Sequence, residues 1–214
     1  MNRVAEADNV DHAPAAGIIA AAGSSKRMGI PKALLPLNGM SMIERLVKSM
    51  IEAGADPIIV VTGHAAEQVR RELEGYPVVF VHNERYDNTQ MLHSLLLGAA
   101  MLDKGTERVL FCPVDSPAAS VDTMKKLLLT DGDYVSPSFH MKAGHPVILS
   151  RRLLRSLQEY TGNGGLRDAA LEAGVQRRFL SVDDEGILIH ANTPEEYVKM
   201  CEWMNTNMRE QVKK

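Results

Sequence analysis

The segment GIIAAAGSSKRMGIPK, residues 17–32, carries the strongest structural signal in this 214-residue chain. Residues 17–22 are small and apolar and predict a buried strand, and the polar, glycine-flanked residues 23–29 predict a loop. Small residues let a backbone approach a ligand, and consecutive N–H groups can bind phosphate oxygens. The spacing fits neither the G-x-x-x-x-G-K-[ST] phosphate loop nor the G-x-G-x-x-G dinucleotide turn. A solvated turn at the end of a strand is the alternative interpretation.

The remainder of the chain alternates strands and helices. Ser41 and Glu44 have capping-box spacing, which predicts the start of an amphipathic helix that ends near Gly54. Strands separated by helical segments predict βαβ crossovers, and so a three-layer α/β/α, Rossmann-like fold with a mostly parallel sheet. In such folds ligands bind at the carboxyl ends of the strands. The predicted strands are 17–22, 57–61, 78–81, 108–111, one near 134, 146–149, 179–182 and 187–189, and the predicted helices are 41–50, 65–73, 91–101, 121–129, 151–159, 166–173 and one from 194 onward.

The composition limits the class of protein. Hydrophobic residues make up 45% and charged residues 24%, as in ordinary globular proteins. We expect a flexible tail over residues 1–15 and a single domain over 16–214. The 24 basic residues nearly balance the 27 acidic ones, so nucleic acid is not an expected partner. The sequence shows neither a signal peptide nor a membrane-spanning run, and its two cysteines are far apart, so we expect a cytoplasmic protein without a membrane partner.

The loop segment AAGSSKRMGIPK, residues 21–32, resembles the signature of nucleotidyltransferases with the MobA-like fold. Within that family it is most similar to the branch of molybdenum cofactor cytidylyltransferases. The resemblance implies that the loop holds the phosphates of a nucleoside triphosphate and that Arg27 and Lys32 neutralise them during attack at the α-phosphorus. An Ala-Ala-Gly loop goes with cytidine-handling members, which favours CTP. The loop residues implied to bind the nucleotide are Ala21, Ala22, Gly23, Ser24 and Ser25.

Asp115 is the predicted metal ligand, and it follows a strand in the segment CPVDSP, residues 112–117. An aspartate at the carboxyl end of a strand suits Mg²⁺, which binds a few carboxylate oxygens together with substrate phosphates. Taken alone, such an aspartate is more often simply a turn residue. The resemblance favours the metal, because a matching Asp-x-Pro segment carries the metal-binding aspartate in the family.

The segment HANTPEEY, residues 190–197, predicts both a helix start and a second metal ligand. Thr193, followed by proline and then by Glu196, forms a complete helix start that requires no function. The segment also resembles the family pattern D-x-D/N-T-P-E-D/E-Y, which implies that Asn192 completes the metal site. His190 stands where the family has an aspartate.

Other family segments are matched less closely. GHP, residues 144–146, and GNGGLR, residues 162–167, resemble acceptor-side segments, although Asn163 replaces an acid. Gln90 stands where the family has a glycine. The resemblance implies Gly144, His145 and Arg167 on the acceptor side. It also implies Thr62 and Gly63, which follow the second strand, and Asn83, together with Ser94 at the end of residues 88–94, on the nucleotide side.

The residues and the resemblance together predict Mg²⁺-dependent transfer of CMP from CTP to a phosphorylated acceptor, with release of pyrophosphate. The branch implies molybdopterin as the acceptor and a transient contact with a molybdoenzyme. Sugar phosphates, phosphocholine and methylerythritol phosphate stay open as acceptors, since relatives use them. The departures at Gln90, Asn163 and His190 motivate a second hypothesis, a nucleotide-binding regulator that has lost turnover. A nicotinamide-dependent oxidoreductase would require the dinucleotide turn that residues 17–32 lack.

Overall fold

The computed structural model describes residues 14–25 and 28–211, and for residues 208–211 the backbone alone. Strands and helices alternate through this part of the chain. The strands are β1 Ala15–Ala21, β2 Pro36–Leu37, β3 Met40–Ser41, β4 Ile58–Thr62, β5 Val78–His82, β6 Arg108–Pro113, β7 Tyr134–Phe139, β8 Lys142–Ala143, β9 Val147–Ser150 and β10 Arg178–Ser181. The helices are α1 Met42–Ala53, α2 Ala66–Glu72, α3 Met91–Ala99, α4 Val121–Leu128, α5 Arg151–Leu157, α6 Leu166–Glu172 and α7 Pro194–Gln211, with short 3-10 helices at Lys32–Leu34 and Glu185–Leu188.

One sheet organises the described residues, with strands in the order β10-β7-β9-β6-β1-β4-β5 and β8 paired to β7. β1 pairs in parallel with β4 and β6, and the pairs β4–β5 and β7–β10 are also parallel. β9 runs antiparallel between β6 and β7. The predicted mostly parallel sheet is therefore confirmed. The chain moves outward from β1 first through β4 and later through β6, so β1 and β6 flank the switch point where such sheets bind ligands.

Helices cover both faces of the sheet, as predicted. Successive residues of β1 point to opposite layers, because side chains alternate between the two faces along a strand. Ile19 packs in a cluster with residues of α1, α2 and α4, including Leu46, and Ile18 packs in a separate cluster with residues of α3, α5 and α6, including Leu95. All four of these side chains are fully buried. The three-layer α/β/α architecture is confirmed.

Local sequence determines where α1 begins and ends. The Ser41 hydroxyl accepts a hydrogen bond from the backbone N–H of Glu44 at 3.2 Å, which confirms the predicted cap. Gly54 ends the helix in the left-handed region, with φ of 97°. The predicted boundaries of this helix thus follow from its two caps.

The amino-terminal prediction needs a small correction. β1 begins at Ala15, which the predicted tail of residues 1–15 included, because Ala15 pairs with Arg108 of β6. The tail up to residue 13 lies outside the described residues. In the described part of the chain, no helix is long and apolar enough to cross a membrane.

The strand predicted at residues 187–189 is wrong, since the 3-10 helix Glu185–Leu188 occupies this position. The Asp184 carboxylate accepts a hydrogen bond from Gly186 N–H at 2.9 Å, which turns the chain out of an extended path. Gly186 also lies directly against the backbone of Ala118, where a Cβ atom would be 2.2 Å from the carbonyl oxygen. Tertiary packing and an aspartate cap therefore outweigh the β-branched composition of this segment.

Candidate active site

The loop after β1 forms one wall of a cavity of about 370 Å³, which we call the loop cavity. Ser25 adopts a left-handed conformation with φ of 50°, and its hydroxyl accepts a hydrogen bond from Lys32 N–H at 2.9 Å. This bond joins Ser25 to Lys32, at the start of the following 3-10 helix. Arg27, one of the two predicted catalytic residues, lies outside the described residues. The predicted loop residues Ala21, Ala22, Gly23, Ser24 and Ser25 all line the loop cavity.

Thr62 and Gly63, at the end of β4, support the loop from behind. The Thr62 hydroxyl donates to the carbonyl oxygen of Val81 on β5 at 3.2 Å, and its side chain is fully buried. Gly63 packs so closely on the loop that a Cβ atom would be 2.2 Å from the carbonyl oxygen of Ala22. The structure thus places both residues beneath the loop, and neither contributes to the described walls of the loop cavity.

Asn83 organises the far wall of the loop cavity. Its side-chain amide donates to the hydroxyls of Thr89 at 3.0 Å and Ser94 at 3.3 Å, and its carbonyl oxygen accepts from the backbone N–H of Arg85 at 3.0 Å. Asn83 and Ser94 were predicted, whereas Thr89 and Tyr86, which line the same wall, were not. Thr89 and Tyr86 lie near predicted residues in the sequence, but a threonine or a tyrosine is not by itself a distinctive sequence signal.

Lys32, Asp115 and Asn192 meet at the border of the loop cavity. The Lys32 ammonium donates to the Asn192 side-chain oxygen at 2.8 Å and lies 3.4 Å from Asp115 Oδ2. Asp115 follows β6 and Lys32 begins the 3-10 helix after the loop. Since β1 and β6 are adjacent parallel strands, their carboxyl ends bring these side chains together. The structure therefore joins three predicted residues from distant parts of the chain.

Backbone and side-chain contacts hold Asn192 in this position. Ala191 N–H donates to the carbonyl oxygen of Asp115 at 3.0 Å, which ties the two segments together. Asn192 N–H donates to the Glu196 carboxylate at 2.6 Å, and Glu196 N–H donates to the Thr193 hydroxyl at 3.2 Å. The hydrogen bond from Asn192 N–H is the main cause that lowers the pKa of Glu196. The hydrogen bonds that form the predicted helix start therefore also hold Asn192 in place.

A second cavity, of about 640 Å³, adjoins the loop cavity and shares Asp115 and Asn192 with it. Gly144 and His145, both predicted on the acceptor side, line this second cavity together with Lys142, His190 and apolar side chains. Gly144 lies against the carbonyl oxygen of Ile187, where a Cβ atom would be only 2.1 Å away.

His145 and Arg167 differ in their relation to the second cavity. Burial lowers the pKa of His145, and its Nδ1 atom is buried without a hydrogen-bond partner in the described part of the protein. Burial therefore favours the neutral imidazole. Arg167, in the first turn of α6, is exposed and is absent from the described walls of both cavities.

The donor atoms at the border of the two cavities fit a divalent cation such as Mg²⁺. The Asp115 carboxylate and the Asn192 amide oxygen are hard oxygen ligands, and both already lie close to one cationic group, the Lys32 ammonium. The residues described here contain no cluster of three or more His, Cys, Asp or Glu side chains suited to a metal. Two protein oxygens, completed by water and phosphate oxygens, are typical of Mg²⁺ sites that also bind a substrate.

The fold, with a candidate site at the switch point of its sheet, is that of the α/β class whose members bind nucleotides at this position. The chain belongs to the MobA-like NTP transferase family, whose domain model matches residues 17–177. It is therefore a nucleotidyltransferase, which confirms the resemblance inferred from the loop. Over 156 residues, 72% of each chain, it is 33% identical to a protein of Paenarthrobacter nicotinovorans named nicotine blue oxidoreductase.

Solved structures show the same fold. A nucleotidyl transferase from Methanothermobacter thermautotroptrophicus is 28% identical and has a TM-score of 0.79, covering 91% of this chain and 99% of its own. A protein from Mycobacterium tuberculosis H37Rv, solved in complex with manganese, is 23% identical and has a TM-score of 0.69, covering 89% and 98%. At least one protein of this fold thus binds a divalent metal.

Proposed function

We propose that this nucleotidyltransferase transfers CMP from CTP to molybdopterin in the cytoplasm, with Mg²⁺ as cofactor and pyrophosphate as the second product. The observation that carries the proposal is the meeting of Lys32, Asp115 and Asn192 where the two cavities join. One cavity would hold the nucleotide and the other the acceptor, so the reacting atoms would lie at this border. Residues 16–214 would form the catalytic domain, and a transient contact with a molybdoenzyme would receive the product.

The loop cavity supports nucleotide binding. The small residues Ala21, Ala22 and Gly23 line this cavity, and a Cβ atom added at Gly23 would meet nothing within 4 Å, so this position is open. The Ala-Ala-Gly sequence resembles loops of cytidine-handling family members, which supports CTP. Asn83 keeps the hydroxyls of Thr89 and Ser94 in fixed positions at the far wall, where they could accept or donate hydrogen bonds to a base or ribose.

The chemistry would rest on positioning and electrostatics. A phosphate oxygen of the acceptor attacks the α-phosphorus in line, the bond to the β-phosphate oxygen breaks, and pyrophosphate leaves. Lys32 and, outside the described residues, Arg27 would stabilise the negative charge that accumulates on the phosphates. Asp115 and Asn192 would hold Mg²⁺, which when bound neutralises phosphate charge and orients the triphosphate. Burial raises the pKa of the Cys112 thiol well above the usual value, so we assign Cys112 no nucleophilic role in this reaction.

The test is a matrix of the four nucleoside triphosphates against molybdopterin, sugar phosphates, phosphocholine and methylerythritol phosphate, read out as pyrophosphate release. We expect release with CTP and molybdopterin and at least tenfold less with the other pairs. Release with another acceptor would replace molybdopterin in the proposal. CTP binding without turnover on any acceptor would favour the nucleotide-binding regulator.

One relative is named an oxidoreductase, so a redox assay should accompany the pyrophosphate assay. The protein would be incubated with a reduced nicotinamide nucleotide and nicotine blue, and absorbance at the nicotinamide band would be followed. We expect no oxidation, because the first loop lacks the dinucleotide turn. Oxidation of the nicotinamide nucleotide, with no pyrophosphate release in the transferase assay, would contradict the proposed function.

A further inference from the structure

The Lys32 ammonium occupies the place between the two oxygens that fit a cation. It lies 2.8 Å from the Asn192 side-chain oxygen and 3.4 Å from Asp115 Oδ2, and the Lys32 side chain is only 15% exposed. The other carboxylate oxygen, Asp115 Oδ1, accepts a hydrogen bond from the Ser116 hydroxyl at 3.1 Å. Both oxygens of the aspartate therefore already have partners before any ligand binds.

Hydrogen bonds on both sides hold the backbone of Lys32. Lys32 N–H donates to the Ser25 hydroxyl, and the Lys32 carbonyl oxygen accepts from Leu35 N–H at 3.1 Å, so the Cα atom is held from both sides. The four-carbon stem is flexible and carries a compact charge that phosphate oxygens attract. Lys32 also lines the loop cavity, so phosphates bound there would come within reach of the ammonium.

We propose that Lys32 acts as a substitute cation in the free protein and keeps a divalent metal out of the Asp115–Asn192 site until a nucleotide arrives. An ammonium and a divalent metal about 4 Å apart repel each other, and more strongly in a partly buried site than in water, so the two cations do not share these oxygens at low cost. Nucleotide phosphates would draw the ammonium away and admit the metal with them. This proposal rests on the proposed metal site and adds an order of binding to it.

The test measures Mn²⁺ binding in the absence of nucleotide, by the electron paramagnetic resonance signal of free Mn²⁺. Lys32→Met keeps the length of the side chain without its charge, and we expect it to bind Mn²⁺ at least about tenfold more tightly than the unmodified protein. Lys126→Met removes the same charge from the exposed face of α4, and its affinity should stay within twofold. Adding Asp115→Asn to Lys32→Met should abolish the gain.

The readouts separate this proposal from the proposed function. Equal Mn²⁺ affinity of Lys32→Met and the unmodified protein would overturn the substitute-cation role, and so would an equal gain in Lys126→Met. Lys32→Ala provides a second variant with the same expected direction if Lys32→Met does not fold. If Lys32→Met gains Mn²⁺ affinity but the unmodified protein transfers no CMP, the proposed reaction is refuted and the role of Lys32 stays supported.

Discussion

Gly63→Ala tests whether the loop after β1 is positioned by the close contact beneath it. In the structure a Cβ atom at residue 63 would lie 2.2 Å from the carbonyl oxygen of Ala22 and 2.7 Å from Cβ of Tyr86. Neither neighbour is the end of a flexible side chain, because one is backbone and the other is the first side-chain carbon. The same Ala22 carbonyl accepts a hydrogen bond from His64 N–H at 3.3 Å. The methyl group therefore forces the loop away from β4.

The size of the effect follows from this overlap. The loop must move by about 1 Å to relieve the contact, and a displacement of that size at a binding site costs roughly 10²-fold in activity. Overpacking of this kind also lowers the free energy of unfolding by about 1–3 kcal/mol. We expect the Kd for CTP in the presence of Mg²⁺ to rise between about tenfold and 100-fold, since Ala22 lines the loop cavity.

The assay is isothermal titration of CTP into the folded variant, with circular dichroism to confirm the fold. Gly105→Ala is the matched control, because the added Cβ would lie at an ordinary distance of 3.7 Å from its nearest neighbour, Asp103 Oδ1. That control should bind CTP like the unmodified protein. A folded Gly63→Ala protein whose Kd for CTP stays within twofold would refute the argument that this contact positions the loop.

Three further predictions concern other parts of the molecule. Asp115→Asn should slow CMP transfer by roughly 10²-fold or more without unfolding the protein, because metal charge stabilisation is worth several kcal/mol; near-normal pyrophosphate release would contradict the metal assignment. Arg108→Met should lower the free energy of unfolding in urea by about 2–3 kcal/mol, since the buried guanidinium donates to three main-chain carbonyls at the end of α4; a loss below about 1 kcal/mol would argue against that role. Burial lowers the pKa of His145, so the unfolded chain binds the proton at a higher pH than the folded chain does. The free energy of unfolding should therefore fall as the pH drops below about 6.5. This pH dependence should be weaker in His145→Asn, and an unchanged pH dependence would exclude His145 as its source.

Hydrophobic periodicity predicted most of the fold, and its failures have identifiable causes. The central strands β1, β4 and β6 are short apolar runs, and their burial on both faces is what such runs indicate. β7 was predicted only near Tyr134, because the following Ser-Pro-Ser sequence breaks every strand pattern. Pairing of Pro137 with Leu180 on β10, and burial between neighbouring strands, hold this polar stretch extended. Strand pairing and burial of that kind cannot be predicted from a single sequence.

The site was predictable where chemistry and position coincide. Asp115 was a candidate because a carboxylate at the end of a parallel strand lies at the ligand-binding edge of the sheet, and the family resemblance favoured the metal over a plain turn. Asn192 needed the family resemblance, because only the folded chain shows that Ala191 N–H bonds to the Asp115 carbonyl oxygen. Thr62 also ends a strand, but its hydroxyl turns toward β5. The direction of a side chain at a strand end depends on register, which the sequence alone does not specify.

Two departures from the family pattern, at Gln90 and Asn163, turn out to be in contact. The Gln90 side-chain amide donates to the backbone carbonyl oxygen of Asn163 at 2.7 Å, and this bond ties the start of α3 to the turn before α6. A glycine at position 90 would have no side chain to make this bond. The bond uses the backbone of residue 163, so it does not depend on whether that residue is an acid or an amide.

Since Asn163 is exposed and absent from the described walls of both cavities, the lost carboxylate does not remove charge from the border where Lys32 and Asp115 meet. Of the three departures, His190 is therefore the one that changes the charge of a cavity wall, because it lines the second cavity where the family has an acid.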